Sequence, residues 1–244
     1  MPDEPTISAP LPGRLGISEG LRQFVEQYPF QRRPILNFVV EVARATTPGA
    51  AVLDLGAGDA PYRELFAHVR YSTSDWSQSL HAGAATVDVV GSADALPVKD
   101  GTFDLVLCTE VLEHLPDPGA VLAECFRMLA PGGRVAITVP LMWELHELPY
   151  DYYRYTPAGL EHLLAAAGFV ELQIRSSGDG FSTIAQLMRN LGWTMGDADD
   201  GLTADRIQAR AMLSELSESI AALAPLDARR IMPLGHSALG RRPR

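Results

Sequence analysis

Basic surplus, cysteine and long apolar runs are what this sequence has least of. Its 244 residues carry 20 Lys and Arg against 30 Asp and Glu, a formal net charge of −10. Phosphate binding needs clustered cations, so no general affinity for nucleic acid or an anionic membrane is expected. The pairs Arg32-Arg33 and Arg229-Arg230 and the tail Arg241-Arg242-Pro243-Arg244 read as solvated ends. Two cysteines occur, Cys108 and Cys125, each inside an apolar pattern, with no disulfide framework and no metal spacing. A reducing cytoplasm is the expected setting. No apolar run reaches membrane length, and the start of the chain lacks a basic-then-apolar leader, so no membrane partner is expected.

What is present centres on Val52-Leu53-Asp54-Leu55-Gly56-Ala57-Gly58-Asp59. The apolar run Ala51 to Leu55 reads as a buried strand that breaks into glycines spaced two apart. Without a Cβ, Gly56 and Gly58 let the backbone turn sharply and approach a ligand. Pro61 opens a helical pattern marked by Leu65, Phe66 and Val69, so the turn reads as the nucleotide-binding corner of a doubly wound sheet. A second strand, Tyr71 to Asp75, ends in an acid 21 residues after Asp54. That spacing suits a carboxylate accepting from two ribose hydroxyls, and Trp76 beside it can face a base.

Upstream, residues 1–18 read as a loose arm, followed by helical patterns from Glu19 to Tyr28 and Arg33 to Ala45. Downstream, Thr86 to Val90 and Phe103 to Cys108 read as strands three and four, and Asp117-Pro118 as a cap and first-turn proline. Arg134 to Val139 is strand five and Phe169 to Ile174 strand six, with a helix capped by Thr156-Pro157 between them. Helices around Phe181 to Met195 and Thr203 to Leu223 flank an acidic turn, Asp197 to Asp200. Leu213, Leu216, Ile220 and Leu223 make an apolar stripe on the second of these, which serves core, lid or dimer face. Gly, Ser and Ala between Pro233 and Leu239 make a poor strand, so a short C-terminal hairpin is expected there. The pattern defines an α/β fold, a mainly parallel seven-stranded sheet with helices on both faces and a helical insertion before the last strand. Residues 19–244 read as one domain, with a ligand-binding core at 50–140, a substrate-side loop at 141–155 and the insertion at 181–224.

In order, Val52 to Gly58, Asp75, Asp94-Ala95-Leu96-Pro97, Phe103-Asp104-Leu105-Val106, Glu110-Val111-Leu112-Glu113-His114 and Leu129-Ala130-Pro131-Gly132-Gly133 resemble the class I S-adenosylmethionine-dependent methyltransferases. The likeness is to the bacterial small-molecule group of the ubiquinone/menaquinone kind and spans roughly Leu53 to Pro140. The resemblance implies S-adenosylmethionine as cofactor and methyl transfer to O, N or C of a small metabolite. It implies that Gly56 and Gly58 pass the methionine part, with its amino group near Asp54, and that Asp75 binds the ribose. Asp94 would accept from the adenine amino group, the Ala95 N–H would donate to the ring, and Thr109 and Glu110 would border the sulfonium.

Acceptor-side candidates lie at Glu113-His114 and in the loop after strand five, where Glu147, Tyr150, Asp151, Tyr153 and Arg154 are expected to bind substrate. His146 and His114 are the candidate catalytic bases, imidazole being tuned near neutral pH; His146 can equally be a hydrogen-bonded tie. His146, Glu147 and Asp151 lack His-Glu-x-x-His spacing, so no metal is expected. A small-molecule substrate and a monomer or homodimer complete the expectation. Two other readings stand beside it: a cofactor-binding member that catalyses a cyclisation, and a nicotinamide-dependent oxidoreductase, disfavoured because Pro61 replaces the third glycine.

Overall fold

The computed structural model describes residues 16–195 and 203–244. The turn Asp197 to Asp200 and all but the last three residues of the expected arm lie outside the described residues. The chain enters through α1 (Glu19–Gln27) and α2 (Pro29–Arg44). It continues as β1 (Ala51–Leu55), β2 (Arg70–Asp75), β3 (Val89–Val90), β4 (Phe103–Thr109), α3 (Pro118–Met128) and β5 (Leu129–Pro140). Then come α4 (Pro157–Ala166), β6 (Val170–Ser177), α5 (Gly180–Thr194), α6 (Ala204–Ala221) and β7 (Gly235–Arg241). The strands form one seven-stranded sheet in the order β3-β2-β1-β4-β5-β7-β6. All neighbours run parallel except β7, which is antiparallel to both β5 and β6.

Central strands are buried on both faces, as parallel strands must be. Leu53, Leu55, Val106, Cys108, Val135 and Ile137 point to the face covered by α3 and α4 through Val121, Leu122, Cys125, Leu160 and Leu164. The alternating set Val52, Leu105, Leu107 and Ala136 meets Leu21, Val25, Leu36, Val39 and Val42 of α1 and α2. Both cysteines are buried and unbridged. Among the described residues no helix is long and apolar enough to cross a membrane.

Several expected elements change. The helix after the glycine turn shrinks to one 3-10 turn, Arg63–Phe66, because β2 begins at Arg70 and leaves no room for more. The N-terminal helices cover that face instead. Strand three keeps only Val89–Val90; Asp88 leaves the ladder and accepts from the Thr73 N–H at 2.8 Å. The last strand is the opposite case. Far from a short hairpin, β7 is seven residues long and sits between two partners. Its small residues are a packing requirement: a Cβ on Gly235 would lie 2.4 Å from the Val139 carbonyl oxygen. The expected apolar stripe is partly open, with Leu216 of α6 and Leu223, just beyond its end, exposed.

Candidate active site

The carboxyl ends of β1, β2 and β4 and the loop after β5 surround two abutting cavities of about 280 and 350 Å³. The first is lined by Gly56, Asp75, Trp76, Gly91, Val111 and Tyr150, among others. Gly58, Tyr28, Arg32, Thr109, Trp143 and His146 belong to the second. Gly56, His81, Glu110, His114 and Glu147 line both and mark the junction.

Backbone geometry makes the first cavity. Gly56 (φ 68°) and Gly58 (φ 51°) are left-handed, a conformation that costs an L side chain about 1–2 kcal/mol. The Gly58 N–H donates to Asp75 Oδ2 and the Trp76 N–H to Oδ1, both at 2.8 Å. A carboxylate has about four acceptor positions, so Asp75 keeps capacity for a vicinal diol. Trp76 stands edge-on to Tyr150 with centroids 5.0 Å apart. These features fit the nucleoside half of S-adenosylmethionine.

Other expected cofactor residues stand outside the lining. Asp54 is buried under the turn and accepts from Tyr71 Oη at 2.5 Å. Burial pushes its carboxyl up to about 7 against the pull of that bond. Asp94 is exposed, and the Ala95 N–H is used by the Ser92 carbonyl at 3.0 Å.

The loop after β5 is stapled onto the turn after β4. The Tyr152 N–H donates to the Glu113 carbonyl at 2.9 Å, Tyr155 Oη to that of Leu112 at 2.8 Å and Tyr153 Oη to that of Pro116 at 3.0 Å. Asp151 and Arg154 form a two-pronged pair (2.5 and 2.9 Å), and Arg154 also holds the Glu144 carbonyl. Burial raises the Asp151 carboxyl, but Arg154 and the His146 N–H outweigh it and hold it at about 2. Asp151, Tyr153 and Arg154 therefore tie the loop, and neither they nor Glu113 line either of these two cavities. Tyr150 and Glu147 do. From behind, Asn190 of α5 donates to Glu144, itself next to a Gln186–Asn190 bond.

That stapling brings His114 and His146 edge to face, with ring centroids 4.8 Å apart. Burial lowers the His114 pKa. Glu110 (φ 52°) and Glu147 (φ 49°) both hold left-handed backbone at the cavity junction, a strain that clusters at functional sites. Burial pushes the Glu110 carboxyl to about 7 although Gln31 Nε2 donates to it at 2.7 Å. Glu147 lies 3.4 Å from Nε2 of His81, and that pairing raises the imidazole and lowers the acid.

Two wall residues contradict or escape the reading of the sequence. Arg32 is not a solvated end. Its guanidinium stacks 3.7 Å from the Phe24 ring centroid and 4.5 Å from that of Tyr28, and among the described lining residues it alone is a guanidinium. Helical periodicity could have flagged it, since Arg32 shares the apolar side of α2 with Ile35. His81 carried no local signal, being placed by a 3-10 turn.

This fold and site fit a nucleotide-cofactor enzyme with a second cavity beside the cofactor corner. Residues 53–137 match the family model of the methyltransferase domain, a match that supports the class I S-adenosylmethionine-dependent methyltransferase reading. A ubiquinone biosynthesis O-methyltransferase of Thiobacillus denitrificans is 38% identical over 104 residues, covering 38% of this chain and 45% of that one. The protein of the same name from Xanthomonas campestris is 33% identical over 137 residues, covering 49% and 57%. The chain thus spans about half the length of these curated relatives. Among solved structures, a Haemonchus contortus phosphoethanolamine N-methyltransferase in complex with S-adenosyl-L-methionine has the same fold (TM-score 0.58, 15% identity, 94% and 61% coverage). So does the cyclase SpnF (TM-score 0.57, 20% identity, 87% and 82% coverage).

Proposed function

We propose that this chain is a methyltransferase that uses S-adenosylmethionine to methylate an oxygen of a small hydroxylated metabolite. The observation that carries the reading is the pair of cavities meeting at Gly56, Glu110, His114 and Glu147. In it the adenosine half of the cofactor lies in the Asp75 cavity. Its methionine crosses the glycine turn, and its carboxylate meets Arg32. The acceptor enters the second cavity along Trp143 and His146. The O-methyltransferase names of the curated relatives favour oxygen over nitrogen or carbon.

When bound, the cofactor supplies an electrophilic methyl carbon, activated by the adjoining positive sulfur. The chain's own contribution is alignment: Asp75 fixes the ribose, Arg32 the carboxylate, and the stapled loop the acceptor. A hydroxyl acceptor must also lose its proton, and the wall of Glu110, His114, His146 and Glu147 faces it.

Calorimetry with S-adenosylmethionine and S-adenosylhomocysteine tests the reading. Wild type is expected to bind both at micromolar Kd, about −8 kcal/mol, and Asp75→Ala at least tenfold more weakly. Absence of binding by wild type would remove the proposal. A panel of catechols, sugars and amines then reads out the acceptor; methylation of amines alone would replace the oxygen assignment.

A further inference from the structure

One carboxylate next to the cavity-lining His114 has no hydrogen-bonding explanation. Glu113 is fully buried, and neither Oε1 nor Oε2 has a hydrogen-bond partner. A buried acid left this way is costly unless a cation compensates it. Nε2 of His114 lies 3.7 Å from Oε1, too long for a hydrogen bond.

Both neighbouring imidazoles are held the same way. Nδ1 of His114 lies 3.0 Å from the Tyr150 carbonyl oxygen, and Nδ1 of His146 lies 3.2 Å from that of Glu144. A carbonyl only accepts, so each Nδ1 carries the hydrogen and each Nε2 a lone pair. Orientation by a carbonyl on the far nitrogen is how proteins aim an imidazole at a metal. One ligand atom from each of Glu113, His114 and His146 falls within 4.8 Å of the others. Ligands about 2.0–2.2 Å from an ion need the three side chains to close by roughly an ångström. Glu147 Oε2, 3.9 Å from His114 Nε2, flanks the cluster.

We propose that Glu113, His114 and His146 hold a divalent transition-metal cation, with its open positions facing the acceptor cavity that both histidines line. Two imidazoles and one carboxylate favour Zn²⁺, Mn²⁺ or Fe²⁺ over Mg²⁺ or Ca²⁺. The role of the ion rests on the methyl-transfer reading. An acceptor hydroxyl coordinated there loses its proton to water, because the cation stabilises the oxyanion. The oxyanion forms the new C–O bond with the methyl carbon as the C–S bond breaks. Sulfur keeps the electron pair, leaving neutral S-adenosylhomocysteine.

The test uses the full chain stripped with a chelator and titrated with Zn²⁺ by calorimetry and with Mn²⁺ by electron paramagnetic resonance. Wild type is expected to bind one ion per chain. Glu113→Gln and His146→Gln should bind at least tenfold more weakly, and His162→Gln, on the exposed face of α4, should match wild type. Stripped Glu113→Gln should melt at or above wild type, since no hydrogen bond is lost and burial already favours the neutral acid, and of these proteins only wild type and His162→Gln should gain Tm on adding Zn²⁺. A plain structural role predicts the reverse, a lower Tm with no dependence on metal, and would overturn the site. Equal ion affinity in all variants, or no ion binding by a wild type that still binds S-adenosylhomocysteine, would overturn it too. Ion binding without S-adenosylhomocysteine binding keeps the site and removes the methyl-transfer reading instead.

Discussion

The two cavities share a wall but are built on different principles. The Asp75 cavity is made mostly where strands end: Gly56 follows β1, Asp75 closes β2, and Glu110 and Val111 follow β4. Its shape depends on backbone conformation within a residue or two of each strand. The second cavity draws Tyr28 from the joint between α1 and α2, Arg32 from α2, His81 from a 3-10 region, and Trp143 and His146 from a loop braced by α5. One is local and the other is assembled, so damage to each should look different.

Gly56→Ala attacks the local cavity most directly. The new Cβ would lie 2.6 Å from a Val111 methyl on a left-handed backbone. We expect S-adenosylhomocysteine affinity to fall at least about a hundredfold, near 3 kcal/mol, with partial recovery when Val111→Ala is added. Full affinity in Gly56→Ala by calorimetry would show that the turn tolerates a side chain and that the cavity is less local than described.

Arg32→Ala sharpens the boundary between the two. A charge-assisted hydrogen bond is worth about 1.5–3 kcal/mol, so S-adenosylhomocysteine should bind about ten- to a hundredfold more weakly. Adenosine, lacking the carboxylate, should bind wild type and variant alike. Equal losses for both ligands would place Arg32 in scaffolding rather than in ligand contact.

Asp151→Asn tests the assembled cavity. Its side chain is fully buried and that of Arg154 is 22% exposed, so the loss in stability should be about 2 kcal/mol, less than for a fully buried pair. Denaturant melts should show that loss while S-adenosylhomocysteine affinity stays within about twofold, the sites being separate. A parallel collapse of cofactor affinity would mean that the loop supports both cavities.

The smallest effect is expected beneath the glycine turn. Burial raises the Asp54 carboxyl from its ordinary 3.8 to about 7, so the fold favours the neutral acid. Its contribution to stability is full below about 3.8, drains as pH rises and is gone above about 7. Between about pH 6 and about pH 8 this amounts to roughly 1 kcal/mol lost by wild type. Asp54→Asn should flatten that slope in thermal melts at several pH values; an unchanged slope would assign the pH dependence to another group.

Legibility follows the same division. The glycine turn, Asp75 and the Asp117-Pro118 and Thr156-Pro157 caps are short-range signals, and the structure has them where the spacing put them. The failures are places where a neighbour overrides composition. Gly, Ser and Ala in β7 read as poor strand formers because propensity ignores the Val139 carbonyl against which Gly235 packs. Arg32 read as a solvated charge because its partners, the Phe24 and Tyr28 rings and the cavity, belong to a three-dimensional surface. Asp151 and Arg154 read as substrate ligands, yet they satisfy each other.

Taken alone, the chain determined the alternation of strands and helices, the cofactor corner and the acid at the end of β2. Hydrophobic period, caps and glycine conformations act over a few residues and need no knowledge of what packs against them. Tertiary structure decided which acids line the cavities, which pair with cations, and that Glu113, His114 and His146 meet. Thirty-two positions separate the two histidines. Their encounter depends on hydrogen bonds from Tyr152, Tyr153 and Tyr155 to the carbonyls of another turn, and carbonyls are the same in every residue. A side-chain pattern cannot encode which backbone oxygen will be within reach; only the folded sheet, which sets β4 beside β5, can.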